Sequence, residues 1–224
     1  MTLRHDPDPS AADWVVRTAA PADGDAGPDA DAWTRVLQGP PGFEAYATVR
    51  FDGEDADPYR PDPDLVALAT RLAGRFTTTP DRAWFALWEG WGELEGGRAY
   101  GVMDQHRAFG RLFRAPRERA VPSAFGDDVL AAPRADLAGL RAYLLFTGPV
   151  EDVGAWGARP LAPDWPRDLP QASFAWPADH AWCVASDVDP TWFTVGGSQA
   201  LVDAVLAHPD LAAEPATYGA PPRA

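Results

Sequence analysis

Two aspartates set two residues apart, Asp187 and Asp189, close the apolar run that begins at Ala181. In an extended chain such residues share a face. A carboxylate pair on one face can hold a divalent cation, which prefers oxygen ligands. The plainer reading is a turn at a strand end, because no histidine lies nearby in sequence to complete a mixed ligand set. No metal and no cofactor are assigned on this basis. Gly196, Gly197 and Ser198 directly precede a helical pattern. Free amides and the positive end of a helix dipole there would suit an anion. The segment lacks the Gly-Lys-Ser/Thr of a P-loop, and a tight turn with positive φ followed by an N-cap accounts for it equally. Glu89 ends another apolar run and is flanked by Trp88 and Trp91. A carboxylate desolvated between indoles could act as a base, or it could stand solvated in the Gly90-Trp91-Gly92 turn. The candidate binding residues are therefore Trp88, Glu89, Trp91, Asp187, Asp189, Gly196, Gly197 and Ser198.

Two further groups point elsewhere. Cys183 and His180 are three apart in an expected strand, so their side chains should fall on opposite faces. Cys183 also sits among apolar residues, which makes a thiol inert. Arg107, Arg111, Arg114, Arg117 and Arg119 lie close together and could clamp an anion, although a solvated face explains them as well.

The elements that must position these residues follow from periodicity. Phe43 to Phe51 alternates, with Phe43, Ala45, Ala47, Val49 and Phe51 on one face, and predicts a half-buried strand. Ala83–Glu89, Arg141–Thr147, Ala172–Trp176 and Ala181–Val188 predict four more, and Thr191–Val195 extends the pairing. The run from Ala181 is apolar on both faces at its start and should be central. Helices are predicted over Asp29–Leu37, from the Asp62-Pro63-Asp64 start through Leu72, and from an N-cap at Ser198 to Pro209. Asp81-Arg82-Ala83-Trp84-Phe85 echoes Asp179-His180-Ala181-Trp182-Cys183. Two copies of five residues do not make a repeat protein, but they suggest equivalent strands in one sheet, with Trp84 and Trp182 both buried.

Composition limits the classes open to this chain. It carries 33 acidic and 19 basic residues among 224, for a net charge of −14. Such a balance argues against general nucleic-acid binding, which requires a basic surface. There is no apolar run of about 18 residues to span a membrane. The start, MTLRHDPDPSAADW, lacks the apolar core of a secretory signal. One cysteine cannot form an internal disulfide. A cytoplasmic protein is expected. All basic residues are Arg, and Lys, Ile and Asn are absent, which points to a high-GC genome. That bias does not explain ten Trp, most of which should be core.

The segment Trp176-Pro177-Ala178-Asp179-His180-Ala181-Trp182-Cys183-Val184-Ala185-Ser186-Asp187-Val188-Asp189, followed by Val195-Gly196-Gly197-Ser198, resembles a signature of uncharacterised bacterial proteins from high-GC genomes. Thr77–Gly92, Phe43–Tyr46 and Arg141–Pro149 fit the same group. The resemblance covers most of 40–207 and implies no activity. Ala83 departs from it, standing where a Cys is expected before Trp84.

The fold class expected is α+β. A mainly antiparallel sheet of about five to seven strands should carry two or three packed helices. Residues 1–30 read as a flexible acidic arm. Residues 31–213 read as one domain with an Arg-rich insertion at 104–136, and 214–224 as a frayed tail. The function expected is a non-catalytic cytosolic binding or regulatory protein with a protein or small-molecule partner. The alternative is an enzyme acting on a small or phosphorylated substrate through Glu89, Asp187, Asp189 and the Gly196-Gly197-Ser198 turn.

Overall fold

A computed structural model describes residues 2–17, 30–51, 62–99, 119–162 and 165–220. The strands are β1 Arg4–Asp6, β2 Ala45–Arg50, β3 Ala83–Trp88, β4 Gly97–Ala99, β5 Arg119–Val121, β6 Ala135–Leu137, β7 Arg141–Gly148, β8 Phe174–Pro177, β9 Cys183–Ala185, β10 Trp192–Gly197 and β11 Ala212–Ala216. The helices are α1 Asp13–Val16, α2 Ala30–Gln38, α3 Pro63–Ala73, α4 Asp127–Leu130 and α5 Gln199–Leu206. The α+β, mainly antiparallel architecture is as expected. Nine strands form one sheet in the order β1-β7-β3-β8-β9-β10-β2-β11, and β6 also pairs with β7. The excess over the expected count comes from β1, β6 and β11, edge strands of three to five residues. Strands that short carry too few alternations to register as a pattern.

Both faces of the sheet are buried. On one face Ala47, Val49, Phe85, Leu87, Phe146, Val184, Phe193 and Val195 pack beneath α3 and α5. On the other, Ala86, Leu145, Phe174, Trp176, Cys183 and Ala185 pack beneath α1 and α2. An antiparallel sheet often leaves one face to water. Here the central strands have no polar face to offer, so β8 and β9 are buried at every position. β2 is also more buried than its alternation implied, because Tyr46 and Thr48, on its second face, are covered too.

The helix ends obey local rules. Asp62 caps α3 by accepting from the amides of Asp64 and Leu65, and Pro63 opens the first turn. α2 stops at Gly39, whose φ is +75°. A Cβ at Gly39 would also lie 3.2 Å from the Cys183 Sγ. Glycine is therefore required there twice, for its backbone and for its close approach.

Both termini depart from the sequence reading. Residues 2–17 are not a loose arm. β1 pairs with β7, and Leu3, Ala12 and Val15 lie in the core. The abundance of Asp concealed this, because the apolar side chains that anchor the segment are few and scattered among the aspartates. Residues 18–29 lie outside the described residues. At the other end, the tail expected to fray from Glu214 is tied down. β11 pairs with β2, the Tyr218 hydroxyl donates to the Gly39 carbonyl at 3.0 Å, and the Gly219 amide donates to Gln38 Oε1 at 2.7 Å. Residues 104–118 of the Arg-rich stretch also lie outside the described residues. Of its remainder, β5 pairs with β4 in a separate two-stranded sheet, and β6 joins the main sheet. No helix among the described residues is long and apolar enough to cross a membrane.

The echoed Trp84 lies in β3 and Trp182 just ahead of β9, and the two pack on opposite faces of the sheet. Trp182 is fully buried with α3 and α5. Trp84 is half-buried on the other face, paired in register with Trp176. Trp182→Ala is expected to cost about 3–5 kcal/mol, and Trp84→Ala only about 1–3 kcal/mol. Equilibrium urea unfolding of the two variants checks this order.

Candidate functional site

Three of the residues nominated from sequence meet at a fourth that was read only as the start of a strand. Arg141 opens β7 and reaches across Trp88 to the residues that follow β9. Its Nε and Nη2 donate to the two carboxylate oxygens of Asp187 at 3.0 and 2.9 Å. Nη2 also lies 3.5 Å from Asp189. The guanidinium is 4.9 Å from the centre of the Trp88 ring and 5.3 Å from that of Trp33 on α2. Asp187 is 4% exposed. The hydrogen bonds to Asp187 push the Arg141 pKa up, against the effect of burial. Removing one partner of such a buried pair costs about 3–5 kcal/mol, because the other charge is stranded. The clamp thus fastens α2, β3, β7 and the end of β9 together. It also engages Asp187 bidentately, leaving that carboxylate committed to the fold.

The other nominated residues go elsewhere. Trp91 is buried, with its ring edge-on to Trp88 at 5.5 Å. Glu89 pairs with Arg134 at 2.9 Å and lines a hollow of about 620 Å³ with Leu94, Ser123 and Leu144. Gly196 and Gly197 do not form a turn. They lie inside β10, opposite Tyr46 and Ala45. A Cβ on Gly196 would come within 2.6 Å of Phe43, and one on Gly197 within 2.7 Å of Leu201. Their role is to let an aromatic ring and α5 approach the sheet. Ser198 does cap α5, accepting from the Leu201 amide at 3.3 Å. The Gln199 amide donates to Glu44 at 3.0 Å, so this helix end already has an anion. Cys183 pairs with Gly196, and Ala185 with Thr194. Asp187 and Ser198 therefore stand at opposite ends of β10, about 20 Å apart for six strand residues. Asp187 and Asp189 do not face the α5 dipole.

Cys183 is wholly buried, and burial pushes its thiol far up. His180 is not in a strand. It follows the turn after β8 with φ +54°, a left-handed conformation in which His is enriched among non-glycine residues. Among the described residues, no group of three or more His, Cys, Asp or Glu is placed to hold a metal ion.

The turn around His180 builds a second site that sequence reading missed. Asp179 accepts from the Thr77 hydroxyl at 2.7 Å, and from the Thr78 amide and hydroxyl at 2.8 Å each. It also accepts from the Ala181 amide at 3.2 Å. The Ala178 amide donates to the Arg82 carbonyl at 2.9 Å. With the turn fixed in this way, His180 stacks on Trp14 at 4.1 Å, nearly parallel. Trp14, His180, Trp84, Arg82, Arg17, Arg35, Asp6, Asp8 and Ser10 line a cleft of about 590 Å³. Trp84 Nε1 donates to Asp6 at 2.9 Å, which joins β1 to β3 along the cleft floor. The D-x-A-W echo was the only sequence signal for this place, because both copies, at Arg82 and His180, contribute to it. Compared with family models, curated proteins and solved structures, the chain matches none.

Burial raises the Asp179 carboxyl, but the hydrogen bonds from Thr77, Thr78 and Ala181 outweigh it and take it from 3.8 to about 2. A lowered carboxyl stabilises the fold fully above its ordinary value and loses that contribution as pH falls through the folded one. Asp179→Asn should therefore destabilise the protein clearly at pH 6 and hardly at all near pH 2, as read from urea midpoints across that range.

Proposed function

We propose that this is a non-catalytic, cytoplasmic binding protein whose ligand surface is the cleft between residues 6–17 and the Arg82–Trp84 and Ala178–His180 segments. The observation that carries this reading is Arg82. Its guanidinium lies 5.1 Å over the Trp84 ring, and among the described residues its side chain has no hydrogen-bond or ion-pair partner. It is an exposed cation resting on an indole at the edge of the cleft, with its donors turned to no protein group among the described residues. By contrast, the groups the enzyme alternative requires are each engaged by the fold: Asp187 by Arg141, Glu89 by Arg134, and the start of α5 by Ser198 and Glu44. The cleft volume suits a small molecule, for which sites run about 300–1,000 Å³. The negative net charge speaks against nucleic acid as the partner.

A small-molecule fragment library screened by NMR against protein labelled at the indole nitrogens tests the assignment. Binders should move the Trp14 and Trp84 signals and leave those of Trp33 and Trp165 in place. Hits that gather at Trp33, Trp88 or Trp165 would contradict it.

A further inference from the structure

Resting on that reading, we propose that the cleft selects a small hydroxyl-bearing monocarboxylate, held through its carboxylate by Arg82. A guanidinium laid on an indole keeps its in-plane N–H donors free, and those donors match the two oxygens of a carboxylate. Trp84 supports Arg82 in this way. Trp84 is itself fixed from behind by Trp176, near-parallel at 6.4 Å, and at its edge by Asp6. The anion site is thus preorganised, which lowers the ordering cost of binding. Arg17 stands at the cleft mouth, 76% exposed and only 3.8 Å from Asp13. An exposed pair of that kind is worth little, so Arg17 is free to turn toward a bound anion.

The remaining groups set the limits of charge. Arg35 is committed to Asp31 and to the Val15 carbonyl, so it adds no free cation. Burial, against the pull of Asp179, holds the His180 pKa below its usual value and so favours the neutral imidazole. Asp6, Asp8 and Asp13 line the same cleft. Asp6 already accepts from Trp84 and from the Asp8 amide, and Asp8 from the Ser10 amide. Each carboxylate has further lone pairs for donors on a ligand. With Arg35 committed elsewhere, three carboxylates outnumber Arg82 and Arg17, which disfavours a dianion such as a phosphate monoester. They welcome hydroxyl groups around a single negative charge.

Titration of the indole-labelled protein with sodium glucuronate, glucose and glucose 6-phosphate tests this. Glucuronate should shift the Trp14 and Trp84 signals saturably and bind about tenfold or more tighter than either other probe. Arg82→Gln should abolish that preference, and Arg82→Lys, which keeps the charge without the fork, should weaken it. Unchanged Trp156 and Trp182 signals in the unliganded variants, both indoles being buried on the other face of the sheet, establish that they fold. Equal binding of glucose and glucuronate, or tighter binding of glucose 6-phosphate, overturns the monocarboxylate assignment while the cleft reading stands. If glucuronate leaves both indoles unmoved although library fragments move them, the same assignment fails alone. If no fragment moves them either, both fail.

Discussion

The rest of the molecule depends on a sheet that is apolar on both faces. Phe85, Leu87, Val184 and Val195 point one way, and Ala86, Phe174, Trp176 and Cys183 the other. Each fully buried large side chain is worth about 1.5–3 kcal/mol only if something covers it. On the first face α3 and α5 supply the cover. On the second, the available pieces are α2 and the N-terminal segment with α1. That segment is therefore part of the core, despite an acidic composition that reads as a solvated arm. Its arrival on the sheet also forms the wall of the cleft, since Asp6, Asp8, Ser10 and Trp14 all come from it. Core and candidate binding surface share one cause.

Two charged anchors hold the second face in register. At one end Arg141 binds Asp187 between Trp33 and Trp88. At the other, Asp179 gathers Thr77, Thr78 and Ala181 and so fixes the turn that carries His180. Both are satisfied networks, which rigidify their surroundings where a partly satisfied one would weaken them. The difference between the ends is Arg82. It is supported by an indole in the same manner as Arg141 but faces no aspartate of its own. One arginine is consumed by the fold, and the other rests on its indole with no hydrogen-bond or ion-pair partner among the described residues.

The long elements were legible because their patterns are strong. β2, β3, β7 and β10 were placed to within about two residues at each end, as were the Asp62 and Ser198 caps, because alternation and capping chemistry act locally. The Ala181–Val188 run was correctly central, but only Cys183–Ala185 is strand, since the segment bends at His180 and again toward Asp187. Gly196-Gly197 was misread as a turn because a glycine pair signals either positive φ or close packing, and only the neighbours Phe43 and Leu201 distinguish them. Trp88, Asp187 and Asp189 were nominated without Arg141, the residue that unites them. Nothing in the sequence states that the start of β7 lies near the end of β9, because that adjacency is made by the sheet order. The cleft was missed for the same reason, its walls being drawn from positions near 10, 82 and 180.

The most direct test of this account is native-state hydrogen exchange at the Leu3 amide, which donates to the Ala155 carbonyl at 2.8 Å where β1 begins. If residues 2–17 belong to the core, this amide should exchange at least about a thousandfold more slowly than in an unfolded chain, together with the amides of β7. Exchange within about tenfold of the unfolded rate would mean that the segment is detached, and would remove both the cover of the second face and the wall of the cleft.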